Sequence, residues 1–280
     1  MFASQFGSYT QMEFRLLLRE PLALFFTLVF PVLLLLIFGS IWGNTPIPRY
    51  GNLGYITLSL PGFIAMVIAT SGMLTLSATV ASYREIGFFR VLRTTPVTPF
   101  TVLTGQFTSL FGATAVSIAV LLIVARAVYT AAFPVHIAFV LPAFLASCAA
   151  LFSLGFLLGN ILASVRTTQI TSMALFFPML FLCGAALPTD ILPHGMQTFS
   201  HFLPLTQAVN LHRWAWFGGV GSQVLRDALA LGVFCILNII FSYRAFRADS
   251  EHPSPAAKRA VSVTVYLGLW SATIALLYFT

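Results

Sequence analysis

Charge is what this sequence has least of. Only 8% of its 280 residues are Asp, Glu, Lys or Arg, where a soluble domain carries roughly a quarter. Hydrophobic residues make up 59%. One folded core cannot hide that share, so lipid is the solvent implied for most of the chain. Acid is scarcer than base, with 7 carboxylates against 14 Lys and Arg and a net charge of +7. The basic residues sit singly between apolar runs and form no patch. That argues against nucleic acid and makes them markers of membrane topology. Lysine is nearly missing: Lys258, in PAAKRA, is the only one. A GxxxxGK[ST] phosphate loop therefore cannot be built from this chain. HExxH and GxSxG are also absent, which removes two common hydrolase signatures. The three cysteines, Cys148, Cys183 and Cys235, fall inside apolar runs without CxxC spacing. They read as small buried hydrophobes.

What is present is a series of apolar runs long enough to cross a bilayer: 22–41, 55–80, 100–125, 134–160, 169–187, 225–243 and 261–280. The second and fourth are over-long for one crossing, which tilt or extension beyond the lipid accommodates. The first 20 residues hold Glu13, Arg15, Arg19 and Glu20, unlike a cleavable leader, so the first span is expected to be its own membrane signal. With the N-terminus inside, cytosolic segments carry ten of the basic residues and outer segments four, Arg49, Arg126, Arg213 and Arg226. That asymmetry sets the expected orientation, N-terminus cytosolic. Pro31, Pro61, Pro142 and Pro178 lie within spans, where neighbouring helices can satisfy the freed carbonyls. Gly155 and Gly159, in GFLLG, form a GxxxG pair suited to close helix packing.

Three polar stretches interrupt the apolar pattern. Before Pro21, Ser8, Gln11, Arg15 and Arg19 line one helical face, with Tyr9, Met12 and Leu16 on another, as in a helix lying on the membrane surface. Between 188 and 222, the segment mixes Asp190, His194, His201, His212 and Arg213 with Trp214 and Trp216. It is too apolar for an open loop, and short helices dipping into the outer leaflet would reconcile the mixture. The histidines could in principle ligate a metal, but no cysteine or carboxylate pair joins them at ligand spacing, so interfacial side chains is the preferred reading. The third stretch is REIGFFRVLR, 84–93, with four charges in ten residues and Pro96 and Pro99 closing it. A short helix starting at Arg84 and Glu85 is expected, with Phe88, Val91 and Leu92 on one side and Arg90 and Arg93 on the other. Such a helix either offers its polar face to a partner or is a solvated loop obeying the positive-inside rule. The carboxylates all lie outside the spans or at their ends, Asp227 nearest to being buried. An ion-driven carrier would have little to work with.

At this point the residues resemble a family. REIGFFRVLRTTPVTPFTVLTGQ at 84–106, LPGF at 60–63 and LPLTQAVNLHRWAWFGG at 203–219 are similar to the signatures of ABC-2 type transporter permeases, over roughly residues 5–245. The resemblance implies an all-α integral membrane protein, a six-helix bundle over 22–243. An N-terminal elbow helix (1–21, with Gln11, Arg15 and Arg19) and a cytosolic coupling helix at about 84–95 would accompany it. Re-entrant outer helices at about 188–222 would form an outer gate containing Asp190, His194, His201, Arg213 and Trp214. Coupling to the ATPase would rest on Arg84 and Glu85, to which the helical wheel adds Phe88, Arg90 and Arg93. The implied partners are two copies of a separate ABC ATPase and a second permease copy, identical or paralogous. The chain itself would bind no cofactor; ATP and Mg would sit on the ATPase. The implied setting is the bacterial cytoplasmic membrane. The expected function is the membrane subunit of an ATP-driven exporter, with a hydrophobic drug-like substrate first and a lipid or lipid-linked polysaccharide next. The rivals are a channel or carrier independent of ATP, and a lipid-modifying enzyme built on Asp190, His194 and His201. The chain departs from the family in a polar linker at 244–260 followed by VSVTVYLGLWSATIALLYFT, 261–280, an additional uncharged helix long enough to span.

Overall fold

A computed structural model describes residues 19–48, 51–87, 99–185, 192–219, 221–251 and 256–278, together with Gln11, Met12, Phe14 and Arg15. The described residues are helical almost throughout, with one isolated bridge between Ile47 and Leu53 as the only extended pairing among them. From Pro21 onward, nine helices follow in order among the described residues. Six are long and apolar enough to cross a membrane: α1 Pro21–Trp42, α2 Tyr55–Glu85, α3 Pro99–Tyr129, α4 Ile137–Ile161, α5 Val165–Leu182 and α8 Gly221–Glu251. Two short helices, α6 His194–Ser200 and α7 Pro204–Phe217, fill the connection before α8. The last, α9, runs Ala256–Tyr278.

Glu20 is extended ahead of Pro21, as a residue before proline prefers, and the chain turns there into α1. Gln11, Met12, Phe14, Arg15 and Arg19 are helical, and of these Gln11, Met12, Arg15 and Arg19 are exposed and Phe14 is half-buried. Two spans contain a π-helical turn. In α1 it covers Phe25–Val29, directly before Pro31, whose missing N–H leaves the Thr27 carbonyl without its usual partner. In α2 it covers Thr70–Leu76. The two turns meet, with the Thr27 and Thr75 hydroxyls 3.4 Å apart.

The core of the bundle is α2. Of its most apolar stretch 89% is buried, against 22% for α1 and 28% for α5. Since lipid is as apolar as leucine, close packing and not water exclusion holds such helices together. Gly72 and Gly155 supply the closest approach. A Cβ built on Gly155 would stand 1.8 Å from the Gly72 carbonyl oxygen, and one on Gly159 2.8 Å from that of Ser77. The GFLLG pair is therefore the seam along which α4 lies on α2. Further buried polar pairs stitch the bundle: Ser77 to Ser172 at 3.0 Å, joining α2 to α5, and the Asn238 amide donating to Ser153 at 3.0 Å, joining α8 to α4.

The spans follow the apolar runs with shifts of a few residues. The fifth starts at Val165 instead of 169 because Ser164 and Thr167 form a reciprocal cap there, and the sixth runs on to Glu251.

Candidate functional site

Arg84 and Glu85 do not begin a helix. They are the last two residues of α2, which runs on until Gly87, at φ +67°, closes it. Residues between a span and a turn can stay helical when nothing breaks the pattern, and no proline or glycine occurs between Ser77 and Ile86. Phe88, Arg90 and Arg93 lie outside the described residues, and with them all of the expected coupling helix from residue 88 onward.

The pair joins three spans at one end of the bundle. The Arg84 guanidinium Nη1 donates to the Gly159 carbonyl at 2.9 Å and the Leu162 carbonyl at 3.0 Å. These belong to the last turn and the C-cap of α4, where carbonyls lack intrahelical donors and a cation complements the helix dipole. One residue on, Glu85 Oε1 accepts from the Val165 N–H at 2.8 Å, the first amide of α5. Ser164 accepts from Thr167 N, so Glu85 takes an amide that the capping box leaves open. An arginine on a helix C-terminus and a glutamate on the next N-terminus thus clamp the three-residue turn between α4 and α5. Whatever moves the end of α2 moves that turn with it.

Beside this joint opens a cavity of about 400 Å³, lined by α2, α3, α5 and the corner at Arg19 and Glu20. Its wall is rich in hydrogen-bonding groups, among them Thr79, Ser82, Tyr83 and Gln106. Gln106 and Ser109 are each 5% exposed, and Gln106 Oε1 and Ser109 Oγ have no hydrogen-bond partner. A smaller, apolar cleft continues from it along Leu22, Phe26 and Met173.

The opposite end is knitted around α7. Trp216 Nε1 donates to the Ala132 carbonyl at 3.2 Å, and His136 N donates to the Ala215 carbonyl at 3.0 Å. His136 stacks on Trp214 at 5.2 Å. Arg213 donates to the Gly184 carbonyl at 2.9 Å, fixing α7 to the end of α5. His194 is exposed at the start of α6, and His201 is half-buried in the turn after it. Asp190 lies outside the described residues. Among the described residues no three His, Cys, Asp or Glu side chains gather in a metal-binding group. Burial, with a smaller contribution from Arg226, lowers the His201 pKa. His212, fully buried with neither ring nitrogen partnered, is pushed down to about 4 by burial. The structure therefore brings Arg84 and Glu85 together at one end and Arg213 and Trp214 at the other. His194 and His201 stand at either edge of α6.

Three features gave no local sequence signal. Asn44 Oδ1 accepts from Thr57 N at 3.1 Å and so caps α2 from the preceding loop, while its amide donates to the Tyr129 carbonyl at 2.9 Å. Tyr278 donates to Asp227, and Trp270 to the Phe202 carbonyl at 2.7 Å. The Asn44–Thr57 cap spans 13 positions and the other bonds 51 to 85, distances at which periodicity is silent.

A family model described as ABC-2 type transporter matches residues 4–217. The chain is similar to the "Putative transport permease ycf38" of Cyanophora paradoxa, 29% identical over 246 residues, 81% of each chain. It is also similar to nodulation protein J of Rhizobium leguminosarum bv. viciae, 38% identical over 63 residues, 22% of this chain and 23% of that one. The same-named protein of Sinorhizobium fredii is 38% identical over 65 residues, 23% of this chain and 25% of that one.

Proposed function

From this chain's membership of the ABC-2 type transporter family, which makes it a multi-pass membrane transport permease, we propose that it is the membrane half of an ATP-driven exporter, energised through the Arg84–Glu85 joint. The family pairs such permeases with an ABC ATPase. In this reading the Arg84 end faces the cytosol, as the distribution of basic residues favours. The ATPase sits below residues 84–95 and pushes on the end of α2. The observation that carries the proposal is the double clamp. Arg84 holds the end of α4 and Glu85 holds the start of α5, so a small displacement of one loop reaches three spans. Rigid helices with a shared, hydrogen-bonded joint transmit such a displacement without deforming.

The substrate enters from the cytosolic side, into the cavity between α2, α3 and α5. Its hydroxyls and amides, continuous with the apolar cleft along Leu22 and Phe26, suit an amphipathic molecule with a polar head and an apolar tail. That lining favours a lipid-like or lipid-linked substrate over a wholly hydrophobic drug in this reading. The weakly covered flanks of α1 and α5 are where a second permease copy packs, enclosing the path between the two. The α6–α7 segment, with Arg213 and Trp214, closes the far end.

The test is co-purification. The tagged chain is extracted from its native membrane in mild detergent beside a Glu85→Arg variant. A nucleotide-binding protein accompanying the wild type, and weakened in the variant, is the expected result. Recovery of intact chain with no such protein in either sample removes the energy source and sinks the proposal.

A further inference from the structure

The C-terminal helix, like α8 before it, lies beyond residues 4–217, the part of the chain that the family model matches. Its packing is one-sided and regular. Tyr266, Trp270 and Ile274 are buried, spaced four apart, whereas Leu269, Ser271 and Ala272 are exposed. The buried stripe lies on α8 in antiparallel register. Tyr266 donates to Asn238 at 2.8 Å and packs edge-on against Phe241. Trp270 packs on Phe234 with ring centroids 4.6 Å apart. Tyr278 reaches Asp227, near the start of α8. Twenty-three residues rise about 34 Å as a helix, enough for a hydrocarbon core of about 30 Å.

The far end of α9 does more than lie against α8. The Tyr278 ring sits 5.0 Å from the His201 ring, and the Arg226 guanidinium lies over it at 4.2 Å. Its hydroxyl donates to the Asp227 carboxylate, toward which Asn210 of α7 also points. About two helical turns below, the Trp270 indole donates to the Phe202 carbonyl, in the turn between α6 and α7. Those partners come from three elements: the α6–α7 turn, α7 and the head of α8.

We infer that α9 crosses the membrane as a seventh span and that its outer end straps the α6–α7 segment to α8, with Tyr278 and Trp270 as the positioning residues that hold this closure. Movement of the α6–α7 segment away from α8 has to break the Trp270–Phe202 bond and unseat Tyr278 from between His201 and Arg226. The strap therefore sets how readily the outer end opens. The side of the membrane on which it lies rests on the orientation given under the proposed function; the crossing itself does not.

Thiol labelling in intact cells tests both parts. Cysteines are introduced singly at Gln11 and after Thr280 and treated with a membrane-impermeant maleimide before and after permeabilisation. The expected result is labelling of the C-terminal cysteine from outside, with Gln11→Cys labelled only after permeabilisation. Labelling of both from the same side overturns the crossing. The reverse pattern keeps the crossing and overturns the orientation alone. The strap is then tested with Met196→Cys on α6, an exposed position, by its labelling rate. Tyr278→Phe and Trp270→Phe should each raise that rate about threefold or more, as expected for one interhelical hydrogen bond in a membrane. Leu269→Ala, on the exposed side of α9, should leave it unchanged. Equal rates in all four proteins, each eluting as the same folded species, overturn the strap.

Discussion

Gly155→Ala is the substitution whose cost the structure defines best. The added Cβ would fall 1.8 Å from the Gly72 carbonyl oxygen, where ordinary contact begins at 3.4 Å. The obstacle is backbone, so no side chain can rotate away, and the two helices must part by about 1.6 Å at that point. Forced overpacking of this kind costs about 1–3 kcal/mol. The parting also loosens the contacts at Gly159, which moves the cost to the upper end. Against it stands about 1 kcal/mol gained by replacing glycine with alanine inside a helix. The net is a loss of about 2 kcal/mol, or roughly 4–8 °C in Tm for a chain of this size. Gly112 in α3 and Gly232 in α8 are the controls, since a Cβ at either meets nothing within 4 Å. Gly112→Ala and Gly232→Ala keep the propensity gain without the clash and should melt at or above the wild-type temperature. Thermal unfolding of the purified protein in one detergent, followed by size-exclusion chromatography, reads all four. If Gly155→Ala melts with the wild type, or the controls fall as far as it does, the seam between α2 and α4 is not where the structure puts it.

His212 makes an acid limb. Its folded pKa of about 4 lies below the unfolded value near 6.5, so the unfolded chain binds the extra proton first as pH falls. Stability is unaffected above pH 6.5 and falls between about 6.5 and 4 by up to about 1.4 kcal/mol per pH unit. His212→Leu should flatten that limb in a pH series of melting temperatures; an unchanged slope would refute the assignment. Asn44→Ala removes the remote cap on Thr57 and should lower stability by about 1 kcal/mol, whereas Ser40→Ala, an exposed hydroxyl bonded within its own helix, should not. Glu85→Gln keeps an oxygen able to accept from Val165 and should melt within a few tenths of a kcal/mol of wild type. If the carboxylate charge matters to the ATPase, the same variant loses ATPase binding without losing stability, which separates docking from folding.

Much of this fold can be read from local composition. An apolar run cannot be mistaken for a loop once charge is this scarce, and the same scarcity makes Arg84 and Glu85 conspicuous. Their position was therefore visible, but their partners were not. Sequence places a glutamate at the start of its own helix, whereas Glu85 serves the helix that begins eighty residues later. The GFLLG pair was visible as a motif, and its partner Gly72, on a different span, was not. Asp227 looked like a carboxylate at a span end. Its burial, at 5% exposure, follows from Tyr278, fifty-one residues away. In each case the local element was legible and the long-range hydrogen bond that gives the residue its role was not. Such pairs are fixed by how helices stack, and no short-range periodicity records that.

The central claim is that an ATPase docks against the chain where α2 ends. A photo-crosslinking residue at Ile86, which is 66% exposed beside Glu85, tests it most directly in native membranes. The account predicts one covalent adduct with a protein carrying a GxxxxGK[ST] phosphate loop, lost in Glu85→Arg. Capture of that ATPase from Met196 at the other end of the bundle, with none from Ile86, would contradict it.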